Sequence, residues 1–243
     1  RWAIAWKFPP TTKLTTLLDI HWNPGKFGDL HPYAVLEPVH VGGVTVKLAT
    51  LHNEEDLARK DLRVGDEVIV LRAGDVIPQV VSPAPHVVER EDRAAPPLRP
   101  ARCPVCDTPT VKPDGAVFTK CPNRDCPGVR WQLLKHFATR GAMDVEGLGE
   151  KQVSLLMDAG LVTDAADFSS LVPEQLVALE GVGEVSAARR VAGLAASREP
   201  PFDSVRFAPG IRGVGDVPGR RLSQRVRPPD APRAAAPETG PSH

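Results

Sequence analysis

The sequence predicts a multidomain chain with three kinds of unit in series: a small β-barrel, a four-cysteine ribbon and an all-α region of repeated hairpins. Residues 12–90 carry about five short apolar and β-branched runs separated by Gly, Pro or Asp turns. The chain's four cysteines follow as two close pairs, Cys103/Cys106 and Cys121/Cys126. Beyond them an apolar-x-Gly-apolar-Gly pattern returns at Gly147, Gly181 and Gly213, in steps of 34 and 32 residues.

Composition sets the bounds. A length of 243 residues holds two or three small domains, and 42% hydrophobic content is ordinary for a soluble protein. No apolar run approaches the length of a membrane span, so no membrane partner is expected. Thirty basic residues balance thirty acidic ones, so no global positive field announces nucleic acid. With 20 Gly and 26 Pro, short elements and many turns are expected. The chain opens at Arg1, inside a strand-like pattern, and is expected to be a fragment whose N-terminus lies upstream.

In order, Arg1-Trp2-Ala3-Ile4-Ala5-Trp6-Lys7-Phe8 alternates as a strand, with Trp2, Ile4 and Trp6 on one side. Lys7 shares the other side with two alanines. It either reaches into a pocket or is a solvated edge lysine. Strands are expected over 15–20, 33–39, 44–50, 67–71 and 76–81, with a helix over 54–60 capped by Asn53 and a tight turn at Gly65-Asp66. Five strands in so short a span suggest a barrel of the OB type, a fold that commonly binds nucleic acid. Residues 91–100 are polar and Pro-containing, and read as a linker.

Residues 101–128 form the ribbon. The pattern C-P-V-C, then C-P-N-R-D-C after fourteen residues, places four thiolates around one point. That is the spacing of a structural Zn2+ site with Cys103, Cys106, Cys121 and Cys126 as ligands. Two disulfides or free buried thiols are the alternative, which the lack of a signal sequence disfavours. A closed site is structural, so a hinge or clamp between domains is expected here. Val117-Phe118-Thr119 reads as a short strand running back from a turn at Pro113-Asp114-Gly115. Lys112-Pro113-Asp114-Gly115 also matches the K-x-D-G motif of nucleotidyltransferases. It reads as turn chemistry instead, because no pocket-bearing domain surrounds it.

Residues 129–227 change to short helices. One places Val129, Leu133 and Phe137 on a single face. The repeated unit is helix, Gly-x-Gly hairpin, helix, with the glycine pairs Gly147/Gly149, Gly181/Gly183 and Gly213/Gly215. Such hairpins turn the next helix's N-terminal amides outward, where they can hold a phosphate without reading sequence. Residues 205–233 carry seven Arg against two Asp. From about 228 the chain is Pro- and Ala-rich and reads as a disordered tail.

The order of these parts resembles the bacterial NAD-dependent DNA ligase family. The match is carried by Arg1-Trp2-Ala3-Ile4-Ala5-Trp6-Lys7-Phe8-Pro9, Leu36-Glu37-Pro38-Val39 and Ala49-Thr50-Leu51-His52-Asn53. It continues through Arg72-Ala73-Gly74-Asp75-Val76-Ile77-Pro78-Gln79-Val80-Val81, the four cysteines, Lys135-His136-Phe137 and Gly141-Ala142-Met143-Asp144-Val145-Glu146-Gly147-Leu148-Gly149. The resemblance implies the last strand of an adenylation domain at 1–11, an OB domain at 12–90, a zinc finger at 101–128, helix-hairpin-helix units over 129–227 and a tail at 228–243. It implies a ligase of replication and repair that takes AMP from NAD+ and, with Mg2+ or Mn2+, seals nicks in double-stranded DNA. In that scheme Lys7 contacts the nucleotide phosphate, and one structural Zn2+ is bound. A monomer in the bacterial cytoplasm, at the nucleoid, is implied. The family's Gly-Arg-Thr-Gly reads here Gly25-Lys26-Phe27-Gly28, which leaves Lys26 as a candidate backbone contact without an arginine's planar fork. The nucleophilic K-x-D-G lysine is implied to lie upstream in a missing adenylation domain. This chain alone is therefore expected not to self-adenylate, and a non-catalytic DNA-binding fragment is the competing reading.

Overall fold

The computed structural model describes residues 10–72, 77–197, 208 and 210. The expectations for the strand bearing Lys7, for the third hairpin at Gly213 and Gly215 and for the tail lie outside the described residues, as does the start of the strand expected over 76–81. The chain divides into two compact units, 1–128 and 129–243.

The first unit is a closed barrel with strand order β1-β2-β3-β5-β4. Its strands are β1 (Thr11–Pro24), β2 (Leu30–Val41), β3 (Val44–Thr50), β4 (Glu67–Arg72) and β5 (Gln79–Pro83). Alternation explains them. On β2, Leu30, Ala34 and Leu36 point inward; on β4, Val68 and Val70 do so. Leu17, Val41, Val46, Leu51, Leu57, Leu62 and Val80 complete the core. β1 and β2 run longer than the sequence runs suggest, because bulges at Leu17/Asp19 and Val35/Val39 let each strand bend and continue.

Helix α1 (Glu54–Arg59) starts at Asn53, whose side chain accepts the Asp56 amide at 2.8 Å. It contributes Leu57 to the barrel core. The barrel closes where two family-like stretches meet. Thr50 pairs with Gln79 in parallel, Thr50 N–H donates to Pro78 O at 2.9 Å, and the His52 and Gln79 side chains hydrogen-bond at 2.8 Å. A further short helix, α2 (Pro85–Val88), follows β5 without having been marked in the sequence.

The stretch 91–100 is not simply a solvated linker. The Arg93 side chain is only 5% exposed and fixes the start of the segment to the barrel. Its guanidinium reaches Asp66 Oδ1 at 3.1 Å and Oδ2 at 2.9 Å, and Asp61 Oδ2 at 2.6 Å. Asp66 is 2% exposed, so this is a desolvated pair. Hydrogen bonds from Arg63 and then Arg93 hold the Asp61 carboxyl below the usual carboxylate range, outweighing burial. A carboxylate with a depressed folded pKa stabilises fully above its unfolded pKa, about 4. That contribution disappears as pH falls through the folded value. Urea resistance of the barrel is therefore expected to drop between pH 5 and pH 2 (about those limits), and Asp61→Asn is expected to flatten the drop. An unchanged acid slope in that variant would show that Asp61 is not a contributor.

The second unit is all-α. Its helices are α3 (Pro127–Ala138), α4 (Glu150–Asp158), α5 (Pro173–Val177) and α6 (Glu184–Ala196), with a 3-10 turn at Asp167–Ser170. Helix α3 begins two residues before the unit boundary. Its buried face carries Val129, Leu134 and Ala138; the expected Leu133 and Phe137 are only partly buried. Leu134 joins Val153, Leu156, Phe168, Leu176, Ala187 and Leu194 in a separate core. Trp131 Nε1 donates to Ser154 Oγ at 2.9 Å, tying α3 to α4. Among the described residues, no helix is long and apolar enough to cross a membrane.

Candidate functional site

The four cysteines converge. All four Sγ atoms lie within 4.8 Å of one another, with Cys103–Cys126 at 3.9 Å and Cys106–Cys121 at 3.5 Å. A tetrahedron with Zn–S bonds near 2.3 Å has S–S edges of about 3.8 Å. The separations are far beyond a disulfide's ~2.05 Å, and none of the four cysteines is disulfide-bonded. Local backbone builds each knuckle. Cys103 N–H donates to Thr108 O at 2.8 Å and Asp107 N–H to Cys103 O at 2.9 Å, while Cys126 N–H donates to Asn123 O at 3.3 Å.

Cys103, Cys121 and Cys126 are buried and Cys106 is partly so. Burial works to raise the Cys106 thiol, but hydrogen bonding with Thr108, Asn123 and Cys121 outweighs it and lowers it to about 6. Burial, with Cys106 and Cys103 alongside, pushes Cys121 up. The donor set is four sulfurs with no oxygen or open position, which fits structural Zn2+ and nothing catalytic.

The ribbon is not a free hinge. Its returning segment pairs with the barrel: Leu30 N–H donates to Thr119 O at 2.8 Å and Cys121 N–H to Gly28 O at 2.8 Å. Lys120 bridges Asp29 on one side and Val111 on the other. The expected strand at Val117-Phe118-Thr119 is thus displaced, with bends at 117–118 and pairing at Lys120. The turn falls at Asp114-Gly115, Gly115 taking φ +70°. Lys112, the lysine of the K-x-D-G match, is ion-paired with Glu54 of α1, which also accepts Thr119 Oγ1 at 2.7 Å. A lysine tied to a carboxylate beside a turn is a strut between ribbon and barrel.

Lys26 sits in the β1–β2 turn beside this junction, with Nζ 5.3 Å from the Phe27 ring centroid. Burial lowers its pKa.

In the second unit, Gly147 (φ +79°) and Gly181 (φ +73°) make sharp turns that only glycine enters readily. Gly149 and Gly183 are the N-caps of α4 and α6, and neither helix start has a side-chain cap hydrogen bond. The first turn packs on α6: a Cβ at Gly193 would lie 2.9 Å from Glu146 O. This close approach opens a cleft of about 420 Å³ lined by Glu146, Gly147, Gly149, Ser186, Arg189 and Arg190. Arg189 is ion-paired with Glu146 across it. Gly181 and Gly183 do not line this cleft. The sequence reading passed over Arg189 and Arg190, although a doubled arginine one turn into a helix that follows a Gly-x-Gly turn was a visible signal. Lys7, Gly213 and Gly215 lie outside the described residues.

A closed five-stranded barrel stitched to a four-thiolate ribbon defines a structural metal module rather than an active centre. Residues 14–92 match the NAD-dependent DNA ligase OB-fold domain, and residues 102–127 match the NAD-dependent DNA ligase C4 zinc finger domain. The chain is 49% identical over 225 residues to the DNA ligase of Rubrobacter xylanophilus, a match covering 93% of this chain and 33% of that protein. It is 43% identical over 238 residues to the DNA ligase of a Roseiflexus species, covering 97% of this chain and 32% of that protein. It is also 43% identical over 224 residues to the DNA ligase of Myxococcus xanthus, covering 92% and 33%. This chain carries the OB-fold and zinc finger domains of the NAD-dependent DNA ligase family, and it spans about a third of the length of the curated relatives it matches.

Proposed function

We propose that this chain is the nick-engaging part of an NAD-dependent DNA ligase, which joins 5′-phosphoryl and 3′-hydroxyl ends in duplex DNA using NAD+ as AMP donor. The single observation that carries the reading is the barrel and the four-cysteine ribbon, each matching that family and joined by backbone pairing. The barrel turn at Lys26 and the helix-hairpin-helix turns at Gly147/Gly149 and Gly181/Gly183 contact phosphates. Gly213 and Gly215, which lie outside the described residues, are proposed for the same role on their sequence pattern. Backbone contacts of this kind suit an enzyme that seals any sequence. Zn2+ holds the ribbon's shape and takes no part in transfer.

NAD+ and Mg2+ or Mn2+ act with an adenylation domain, toward which Lys7 would supply a positive charge at the nucleotide phosphate. The working form is a monomer in the bacterial cytoplasm. A second reading, a sequence-independent DNA-binding fragment without chemistry, is favoured by one observation: the barrel turn reads Gly25-Lys26-Phe27-Gly28 where the family commonly shows Gly-Arg-Thr-Gly, so an arginine's planar fork is lost there.

Titrating the chain onto nicked and intact duplexes across a salt series, with and without a purified adenylation domain, tests both readings. Salt-dependent binding that becomes sealing when the domain is added is expected. Binding that never becomes sealing would favour the second reading, and no binding would remove both. Lys26→Ala is expected to lower the slope of log K against log[salt] by about 1. An unchanged slope would take Lys26 out of the phosphate contacts.

A further inference from the structure

We propose that the zinc ligand Cys121 positions the barrel's β1–β2 turn, so that metal occupancy of the ribbon sets the conformation of Gly25-Lys26-Phe27-Gly28. The turn has two backbone bonds of its own: Gly25 N–H to Asp29 O at 2.7 Å, and Gly28 N–H to Gly25 O at 2.9 Å. Two more cross to the ribbon, from Cys121 N–H to Gly28 O and from Leu30 N–H to Thr119 O, each 2.8 Å. Between them Asp29 pairs with Lys120, and the Lys120 Nζ lies 3.1 Å from Asp29 Oδ1.

The approach is tight. Gly28 has φ +80°, and a Cβ there would stand 2.4 Å from Cys121 O. The Cys121 residue therefore sits between two tasks. Its Sγ belongs to the metal tetrahedron, while its N–H and C=O face Gly28. The other side of the turn is bracketed as well. A Cβ at Gly128, two residues past Cys126, would lie 2.6 Å from Pro24 Cγ and 3.2 Å from Val105 Cγ2. Gly128, just past the second knuckle, thus closes both on Pro24, the residue that leads into the turn, and on Val105 of the first knuckle. A knuckle that loosens on metal loss takes the turn's supports with it, while the barrel core is a separate cluster of buried side chains.

Coupling of this kind is reciprocal: if zinc orders the turn, an intact turn tightens zinc by the same factor. The consequence for DNA rests on the function proposed above, because Lys26 rides on this turn.

Amide hydrogen exchange on the full chain, zinc-loaded and then stripped by a chelator, tests the proposal without DNA. Gly25 and Gly28 are the informative amides, since their bonds lie within the turn. Their protection is expected to fall at least tenfold (about 1.4 kcal/mol) on stripping, while Val68 and Val70 of the barrel core stay protected. Unchanged exchange at Gly25 and Gly28 would overturn the proposal. Gly28→Ala supplies the reverse arm: in competition with a metal-binding dye, its zinc affinity is expected to fall by about 5- to 150-fold. Wild-type affinity would sink the idea. Should that variant not fold, the exchange experiment still decides. Neither readout contains DNA, so the ligase reading can fail while this coupling stands, and the coupling can fail while DNA binding stands.

Discussion

Replacing Cys126 with serine is expected to abolish zinc binding and unfold the ribbon while leaving the barrel core assembled. Cys126 is fully buried, and its sulfur is one of the four that define the tetrahedron. Structural zinc sites in small modules contribute on the order of 10–16 kcal/mol of apparent binding free energy at neutral pH. A ribbon of some two dozen residues has almost no apolar interior to replace it. Among its residues, the buried set is little more than Cys103, Cys121, Cys126 and Thr119. The barrel has its own core of Leu17, Leu36, Leu51, Leu62, Val68, Val70 and Val80, which does not need the metal. Metal analysis should therefore fall from one zinc per chain to none, and limited proteolysis should open sites within 101–128 before any within the strands. A variant that keeps stoichiometric zinc, or a barrel that melts in step with the ribbon, would contradict this account.

How much of this was legible in the sequence follows from how local each feature is. The strands, the Asn53 cap, the knuckles and the turn at Gly115 depend on neighbours a few residues away, and each lies in the sequence as a pattern. Four cysteines in two pairs specify a tetrahedron almost regardless of what surrounds them. What escaped is what needs tertiary contact. No periodicity pairs Thr50 with Gln79, or brings Gly28 against Cys121, because those partners are far apart in the chain. Lys112 illustrates the limit well. Its motif could be set aside on turn chemistry alone, but its partner Glu54 could not be named. On α3 the expected face holds at Val129, which is buried, and at Phe137, which packs against the helical core, and departs only at Leu133. Leu133 and Leu134 are adjacent, and only the packing of the helical unit decides that Leu134 goes inward. The short helices α2 and α5 carry too few residues for a period to declare itself. Arg93 was the largest omission, since a charged residue in a Pro-containing stretch gives no local sign of burial.

Arg93→Ala is expected to destabilise the barrel by about 3–5 kcal/mol, because it strands a buried carboxylate. Asp66 is 2% exposed, and without Arg93 its remaining partner is a neutral donor, the Arg63 N–H at 2.9 Å on Oδ2. Asp61 also loses a partner, but it is half-exposed and retains Arg63 at 3.0 Å, so its share of the loss is small. Removing the stranded charge should recover much of the cost: Arg93→Met with Asp66→Asn is expected to be more stable than Arg93→Ala alone. Full recovery is not expected. Asp66 also shapes the turn at Gly65 (φ +88°), where its backbone N–H donates to Arg63 O at 3.1 Å and its side chain accepts the Arg63 amide. Urea unfolding followed through the slow-exchanging amides of Val68 and Val70 measures the barrel separately from the helical unit. A loss below about 1 kcal/mol for Arg93→Ala would place it among surface pairs. The segment 91–100 would then be the simple linker that its composition suggests.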